Sequence, residues 1–307
     1  MLDLIKRLKL SYAVYNFFQR ERLKYNVPLY RKLGLNKRYY SPISSKDFKG
    51  LDGNLLYNHF NNSLDNINEK YRSSLSDFEK NGYAVLKNYL SEKEVTEIND
   101  EVERLIHEKR VSFKYKNKIM FAHHQSTLLS SLGENQQIKN ILSYLLKNES
   151  VLFQSINFIN GSEQATHSDS IHMTTFPFGG LIAIWIALDD ITDKNGPLHY
   201  YPGSHKLPYY LNEDYNNCGN RFLIGKKDYT EYEKFIADKI KEKGLTKEIF
   251  YAKKGDVLIW HSNLFHGGET HTDKSKTRRS MVFHYYSKNV ICYHEITQRP
   301  ALLLKTN

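Results

Sequence analysis

The sequence predicts an α+β fold in which helices come first and a mainly β core follows. Between residues 91 and 148, apolar residues recur at helical spacing. From about residue 151, short apolar runs separated by turn residues take their place. The chain also contains 23 Tyr and 16 Phe, which suits a β-rich core and a pocket lined by aromatic rings.

The composition excludes several classes of protein. The 307 residues are 40% hydrophobic and 25% charged, so wholesale disorder is not expected. Cys218 and Cys292 lie far apart, which argues against a zinc ribbon or a disulfide framework and favours a reducing compartment. We see no apolar run of membrane-spanning length and no signal peptide, so we expect a cytoplasmic protein.

The net charge of +10 has two interpretations. It could attract an anionic partner, such as a charged small-molecule substrate or a membrane surface. It could also simply reflect an abundance of lysine that aids solubility. The charge is scattered and no nucleic-acid-binding module accompanies it, so we favour the second interpretation and expect no nucleic-acid partner.

Residues 1–70 are predicted to form a basic, partly helical N-terminal extension. Apolar residues recur there at helical spacing, namely Leu2, Ile5, Leu8, Tyr12, Tyr15 and Phe18. Such a helix could dock on the core. It could also make a peripheral membrane contact, because basic residues surround the apolar stripe, namely Lys6, Arg7, Lys9, Arg20 and Arg22. Docking is the favoured interpretation.

Residues 71–307 are predicted to form the main domain. A helix ends near Lys80 and a turn at Asn81-Gly82 leads into a strand at 83–86. Ser91 and Glu94 have the spacing of a capping box at the start of a long helix, and a further helix spans 135–148. Strands are predicted at 151–159, 181–188, near Tyr201, at 256–260 and at 280–286. A polar insertion at about 207–250 interrupts them, with a helix at 231–243, and we expect it to act as a lid.

The motif His167-Ser168-Asp169 can hold a metal ion. Residues two apart on extended chain point to the same side, so His167 and Asp169 can reach one ion. A histidine from a distant strand would complete a two-histidine, one-carboxylate face. That ligand set is diagnostic of non-haem Fe(II) oxygenases and leaves positions open for other ligands. With 13 histidines in the chain the motif alone is weak evidence, and a solvated surface pair is the alternative.

The downstream sequence strengthens the metal-site hypothesis. An apolar strand at 255–260 precedes His266-Gly267-Gly268, and Arg278 and Arg279 lead into the next strand. The guanidinium fork of an arginine can grip a buried carboxylate in a bidentate manner. Adjacent residues on a strand face opposite ways, so at most one of the two arginines should enter a pocket.

In order along the chain, these stretches resemble the phytanoyl-CoA dioxygenase family of iron and 2-oxoglutarate enzymes. The resemblance runs from about residue 77 to 287 and rests on residues 77–90, 167–169, 184–190, 195–198, 201–206, 255–257, 266–268 and 278–285. It implies a double-stranded β-helix (a jelly-roll, cupin-like fold) flanked by helices. It also implies three cofactors and co-substrates, namely Fe(II), 2-oxoglutarate and dioxygen.

The resemblance assigns site residues as well. His167, Asp169 and His266 would be the iron ligands; His261, five residues upstream of His266, is the alternative that we do not favour. Arg278 would bind the far carboxylate of 2-oxoglutarate, with Arg279 as the fallback.

Further positions carry weaker assignments. Ser168 and Trp185 take positions that contact the co-substrate in the family, although position 168 is often Gln there. His172 is a candidate substrate residue, and Gly268 replaces a common Ser. We expect the remaining histidines of these motifs, His199, His205 and His284, to be structural.

The expected reaction is hydroxylation of an unactivated C–H bond in a small molecule, with release of succinate and carbon dioxide. Asp169 retains the carboxylate that related halogenases lose, which favours oxygen insertion. Two alternatives remain: a metal-dependent enzyme of the same fold that does not use 2-oxoglutarate, and a non-catalytic binding protein.

Overall fold

The computed structural model describes residues 2–11, 14, 63–176, 178–288, 290–296 and 299–300. Its α-helices within these ranges are α1 (Leu2–Arg7), α2 (Glu69–Leu75), α3 (Phe78–Asn81), α4 (Glu92–His107), α5 (Thr127–Gly133), α6 (Gln136–Leu146) and α7 (Tyr229–Glu242). The strands are β1 (Tyr83–Leu86), β2 (Phe113–Lys114), β3 (Lys118–Met120), β4 (Ser150–Phe158), β5 (Thr174–Phe176), β6 (Leu181–Ala187), β7 (Leu198–Tyr200), β8 (Glu248–Phe250), β9 (Val257–His261), β10 (His266–Gly268), β11 (Ser280–Ser287), β12 (Ile291–His294) and β13 (Arg299–Pro300).

Two antiparallel sheets form the walls of the core. The large sheet has the order β1-β9-β6-β11-β4-β3-β2, and a three-stranded sheet has the order β10-β7-β8. Side chains of both sheets share one apolar cluster, in which Trp185 and Leu258 of the large sheet join Leu198 and Phe250 of the small one. A third sheet, also three-stranded, has the order β13-β12-β5. This architecture confirms the predicted jelly-roll core flanked by helices.

The central strands β6 and β11 of the large sheet are buried on both faces. Along β11, Met281, Phe283 and Tyr285 belong to the cluster that the helices cover, whereas Val282 belongs to the cluster between the sheets. Such alternation is the normal consequence of the two-residue period of a strand. Double burial also explains why β6 is apolar throughout: every residue of it is buried.

The sequence-predicted elements agree closely with the observed ones. The capping box is present, with Ser91 accepting from the Glu94 amide and the Glu94 carboxylate accepting from the Ser91 amide. Gly82 ends α3 at φ +82°, a conformation that a side chain disfavours.

The first residues dock on the insertion. Leu8 forms a β-bridge with Leu223, the Lys9 amide donates to the Phe222 carbonyl at 2.8 Å, and the Ile224 amide donates to the Arg7 carbonyl at 2.9 Å. Tyr12, Tyr15, Phe18, Arg20 and Arg22 lie outside the described residues. The domain boundary at residue 70 stays a prediction. Among the helices that can be described, none is long and apolar enough to cross a membrane.

Candidate functional site

Three predicted metal ligands converge between the two sheets. His167 forms a β-bridge with His266, the first residue of β10, and their backbones exchange two hydrogen bonds of 2.9 Å. Asp169 begins a 3-10 turn two residues later. Ligand atoms of the three side chains all lie within 4.8 Å of one another, and all three residues are buried. No other group of this kind occurs in the described part of the chain.

Each histidine presents the same nitrogen to the centre of the group. Nδ1 of His167 lies 2.9 Å from the Ala165 carbonyl, and Nδ1 of His266 lies 2.9 Å from the Leu264 carbonyl. A carbonyl can only accept, so Nδ1 must carry the proton in both rings. Nε2 is then the nitrogen that can bind a metal ion, and the two Nε2 atoms lie 3.8 and 3.7 Å from Oδ1 of Asp169.

The electrostatics suit a divalent cation. Burial lowers the pKa of His167 well below its ordinary value, and the neighbouring His266 lowers it further, so this imidazole is neutral at neutral pH. Burial alone would raise the pKa of Asp169, but His266, His284 and His167 together lower it well below its ordinary range. One carboxylate and two imidazole nitrogens, closely spaced, form a donor set that fits Fe(II).

Two residues that sequence reasoning missed also contact Asp169. Nε1 of Trp260 donates to Oδ2 at 2.7 Å, and Nε2 of His284 lies 3.6 Å from the same oxygen. His284 was expected to be structural, yet it faces the metal ligands from β11. Strand parity offered a signal, since His284 shares its face of β11 with the inward residue Val282.

Arg278 is a buried cation that has no ion-pair partner among the described residues. The residue is only 1% exposed, and its Nε and Nη2 atoms form no hydrogen bond with any described residue. The guanidinium carbon lies 5.3 Å from the centre of the Trp185 ring. Burial lowers its pKa to about 10, so the group remains positively charged at neutral pH. A buried, hydrogen-bond-deficient guanidinium requires an anion, and a carboxylate matches its fork.

Arg279 points away from this pocket. Its guanidinium pairs with Glu103 of α4 on the helix-covered side of the sheet, and its amide donates to Asp189 at 2.7 Å. The two adjacent arginines thus face opposite ways, as strand geometry requires. Arg279, the fallback ligand, is engaged elsewhere in this structure.

The other predicted site residues are placed as follows. The Ser168 hydroxyl lies 3.0 Å from the Tyr232 hydroxyl, a partner on α7. Trp185 is buried beside Arg278, and its Nε1 atom has no hydrogen-bond partner in the described structure. Gly268 is the last residue of β10 and lies beside Ser162 and Glu163.

His172 lies on the side of the site that the insertion covers. Its ring is 4.4 Å from that of Tyr229 on α7, and its Nδ1 is 3.2 Å from Nε2 of His294. The Tyr229 hydroxyl accepts a hydrogen bond from Gln164, whose amide nitrogen also lies 3.2 Å from Nε2 of His167. The insertion therefore reaches the metal ligands through one intervening side chain.

The remaining histidines of the motifs make local contacts. Nε2 of His205 lies 3.0 Å from the Glu79 carbonyl, and His199 lies between Thr166 and Glu269. His261 is half-buried beside His205, with ring centres 5.4 Å apart, and is not part of the metal-ligand group. His266 is thus the histidine that joins His167 and Asp169.

Comparisons with known proteins place this chain among related sequences and structures. The family model of phytanoyl-CoA dioxygenase matches residues 78–280. The chain is 26% identical over 176 residues to phytanoyl-CoA dioxygenase domain-containing protein 1 of Danio rerio, which covers 55% of this chain and 56% of that protein. It is 27% identical over 221 residues to ectoine dioxygenase of Nocardia farcinica, covering 65% and 72% of the two chains. The solved structure of the non-heme alpha ketoglutarate dependent carbocyclase SnoK from nogalamycin biosynthesis superposes with a TM-score of 0.62 at 17% identity, covering 80% of this chain and 96% of SnoK.

These likenesses differ in what they establish. At its low identity, the SnoK structure supports the fold alone. The chain spans little more than half the length of the zebrafish relative. The family model, in contrast, spans well over half of this chain and includes both motif histidines, Asp169 and Arg278. The chain belongs to the phytanoyl-CoA dioxygenase family, a family of iron(II)- and 2-oxoglutarate-dependent oxygenases.

Proposed function

We propose that this chain holds Fe(II) through His167, Asp169 and His266 and hydroxylates a C–H bond of a small molecule, with 2-oxoglutarate and dioxygen as co-substrates. The observation that carries the proposal is Arg278, a buried guanidinium with two nitrogen atoms for which the described part of the chain supplies no hydrogen-bond partner. Its guanidinium would bind the far carboxylate of 2-oxoglutarate within the core that also contains the metal ligands.

Separate groups of residues would bind the metal and the keto acid. The two imidazoles and Asp169 would hold the metal, while Arg278 would anchor the keto acid, with the face of Trp185 beside it. Ser280, the first residue of β11, lies two residues after Arg278 and is buried, and no described residue hydrogen-bonds to its hydroxyl. This hydroxyl would donate to the same carboxylate. When bound, the iron supplies oxidative decarboxylation of the keto acid to succinate and carbon dioxide and the oxidation of the C–H bond.

A pair of arginine variants tests the anchor. Under anaerobic conditions, Fe(II) and 2-oxoglutarate should give a visible charge-transfer band whose titration yields the keto-acid affinity. Arg278→Ala should weaken 2-oxoglutarate binding about 100-fold, because two charge-assisted hydrogen bonds are lost. It should leave the affinity for 2-oxobutyrate, which lacks the far carboxylate, nearly unchanged.

Arg279→Ala is the matched control, since it removes the same charge one residue away on the opposite face of the strand. We expect it to leave both affinities within twofold of the parent protein. If Arg278→Ala keeps the preference for 2-oxoglutarate, the anchor is misassigned. If His167→Ala retains the band, the metal ligands are misassigned.

The substrate is proposed to be an anionic small molecule. Lys118, on β3, supports this proposal: it is largely buried, it donates to Gln164 at 3.1 Å, and burial lowers its pKa. We also propose a cytoplasmic location, supported by the absence of a disulfide between Cys218 and Cys292.

A peripheral membrane contact through the N-terminal segment is proposed as well. Four large apolar side chains are exposed on α1, just after it and on the chain segment paired with it: Leu4 at 51%, Ile5 at 48%, Leu10 at 71% and Phe222 at 67%. Arg221 lies over the Phe222 ring, and Lys9 follows the bridge that joins the two segments. Apolar side chains beside basic ones suit an anionic lipid surface.

A further inference from the structure

The two carboxylate oxygens of Asp169 have different neighbours. Oδ1 lies 3.8 and 3.7 Å from Nε2 of His167 and His266. Oδ2 accepts the 2.7 Å hydrogen bond from Nε1 of Trp260 and has His284 at 3.6 Å. One oxygen therefore faces the metal-ligand nitrogens, and the other is held by the large sheet.

Trp260 is rigidly placed for this contact. It lies within β9, between β1 and β6, with Tyr83 and Ala183 as its register partners, and it is 4% exposed. Its ring centre is also 4.8 Å from that of His266. A donor fixed in the middle of a sheet loses little freedom on bonding, and a buried hydrogen bond to a charged oxygen is strong.

We propose that Trp260 is a positioning residue that reserves Oδ2 of Asp169, so that only Oδ1 is offered to the metal. The number of carboxylate oxygens that bind the metal decides how many coordination positions remain open. Two imidazole nitrogens and one carboxylate oxygen leave three of six octahedral positions, which are enough for a chelating keto acid and dioxygen. A carboxylate that used both oxygens would leave two. The role in oxygen chemistry rests on the proposed function, but the hydrogen bond itself does not.

The hydrogen bond can be tested in the metal-free protein. The chain has only two tryptophans, so the indole region of a ¹H–¹⁵N spectrum contains two signals, and Trp185→Phe identifies that of Trp260. We expect the Trp260 signal to lie downfield of the Trp185 signal and to move upfield in Asp169→Ala. A Trp260 signal that does not respond to Asp169→Ala overturns the proposal, whatever the metal does.

Metal affinity tests the consequence. Trp260→Phe removes the donor and keeps an aromatic ring in β9, whereas Trp260→Gln keeps an N–H donor without the ring. Loss of an outer-shell partner typically weakens metal binding 10- to 100-fold. We therefore expect the Fe(II) affinity to fall by at least about tenfold in Trp260→Phe and to recover in Trp260→Gln. The charge-transfer band with 2-oxoglutarate should shift in Trp260→Phe.

Ile259→Val is the packing control, because Ile259 is buried on the helix-covered face of the same strand. It should bind Fe(II) within twofold of the parent protein. If Trp260→Phe and Trp260→Gln lose the same amount of Fe(II) affinity, the effect comes from ring packing on His266 and the proposal is overturned. Unchanged Fe(II) affinity in Trp260→Phe would also overturn it. If 2-oxoglutarate fails to bind even the parent protein, the proposed function fails while the spectrum of the metal-free protein still decides the hydrogen bond.

Discussion

At Gly161 the backbone passes directly against the side chain of Arg278. The residue has φ +73°, a conformation that favours glycine, and an added Cβ would lie 2.7 Å from Cδ of Arg278. Its carbonyl also accepts a hydrogen bond from Asn117. Glycine is therefore required here both for backbone conformation and for the space that the buried guanidinium occupies.

A methyl group at this position should displace the anchor. Gly161→Ala is expected to weaken 2-oxoglutarate binding on the order of tenfold, because a misplaced guanidinium loses its geometry for the carboxylate. Fe(II) affinity should change less than twofold. Both affinities can be measured by anaerobic titration.

Gly244→Ala is the control for backbone strain. Gly244 has φ +60°, and an added Cβ would meet nothing within 4 Å. Gly244→Ala should lower the free energy of unfolding by about as much as Gly161→Ala does, and it should leave the affinities for Fe(II) and 2-oxoglutarate unchanged. Equal effects of the two substitutions on keto-acid binding would show that strain, and not the contact with Arg278, is responsible.

Sequence reasoning reached some residues of the site and not others. The parity of a strand indicated that at most one of Arg278 and Arg279 enters the pocket, but parity alone could not say which. Trp260 and His284 were missed because their contacts with Asp169 depend on the register between distant strands. Their hydrogen-bonding atoms meet only after β9 and β11 have both paired with β6.

At the scale of elements, α7 links the insertion to the site. Tyr229 and Tyr232 both lie in its first turn and reach Gln164 and Ser168. Their burial raises the pKa of each phenol, so both hydroxyls remain protonated donors near neutral pH. The role of the 207–250 insertion as a lid stays a prediction, and these contacts identify the helix through which it would act.

The N-terminal helix gives a test of the membrane proposal. The double variant Leu4→Ser/Ile5→Ser should lose most of its binding to vesicles of anionic lipid, because two exposed apolar side chains are removed. Co-sedimentation with anionic and with neutral vesicles measures the effect.

Tyr115→Ser/Tyr251→Ser provides the comparison, since these side chains are also exposed, at 77% and 55%, but lie elsewhere in the sequence. This variant should bind vesicles like the parent protein. If the parent protein does not sediment with anionic vesicles at all, the membrane contact does not exist.

At the scale of the whole molecule, buried neutral histidines make the fold sensitive to acid. Burial is the largest cause in each case, and it lowers the pKa of His123 and His199 to about 4 and of His172 and His261 to about 3. In the unfolded chain a histidine titrates near 6.5. Between about pH 6.5 and 4 the unfolded state therefore binds more protons than the native state.

The free energy of unfolding should consequently fall as the pH drops through this range. Each such histidine contributes up to about 1.4 kcal/mol per pH unit. Urea unfolding of the metal-free protein at pH 6.5 and 5 measures the total. His123→Asn, which can still accept from Ser155, should reduce the difference by about 2 kcal/mol. An unchanged difference would mean that the pKa of His123 is the same in the native and unfolded states.

Individual strands and helices were accessible from sequence because they have strong local signals, whereas their jelly-roll arrangement was implied by the family resemblance. The doubly buried strand β6 appears as an unbroken apolar run, and Ser91 with Glu94 specifies the start of α4. The docking of residues 7–9 on residues 222–224 was not specified in the same way, since it consists largely of backbone hydrogen bonds that any residue except proline can form.

The reciprocal backbone bonds between His167 and His266 have a consequence for how the protein handles its metal. Two ligands joined by a β-bridge keep their spacing without an ion, unlike ligands that gather only when a metal folds the chain. Removal of the metal by a chelator should therefore leave an empty but folded binding site. Reloading then becomes a simple exchange governed by the supply of iron rather than by refolding.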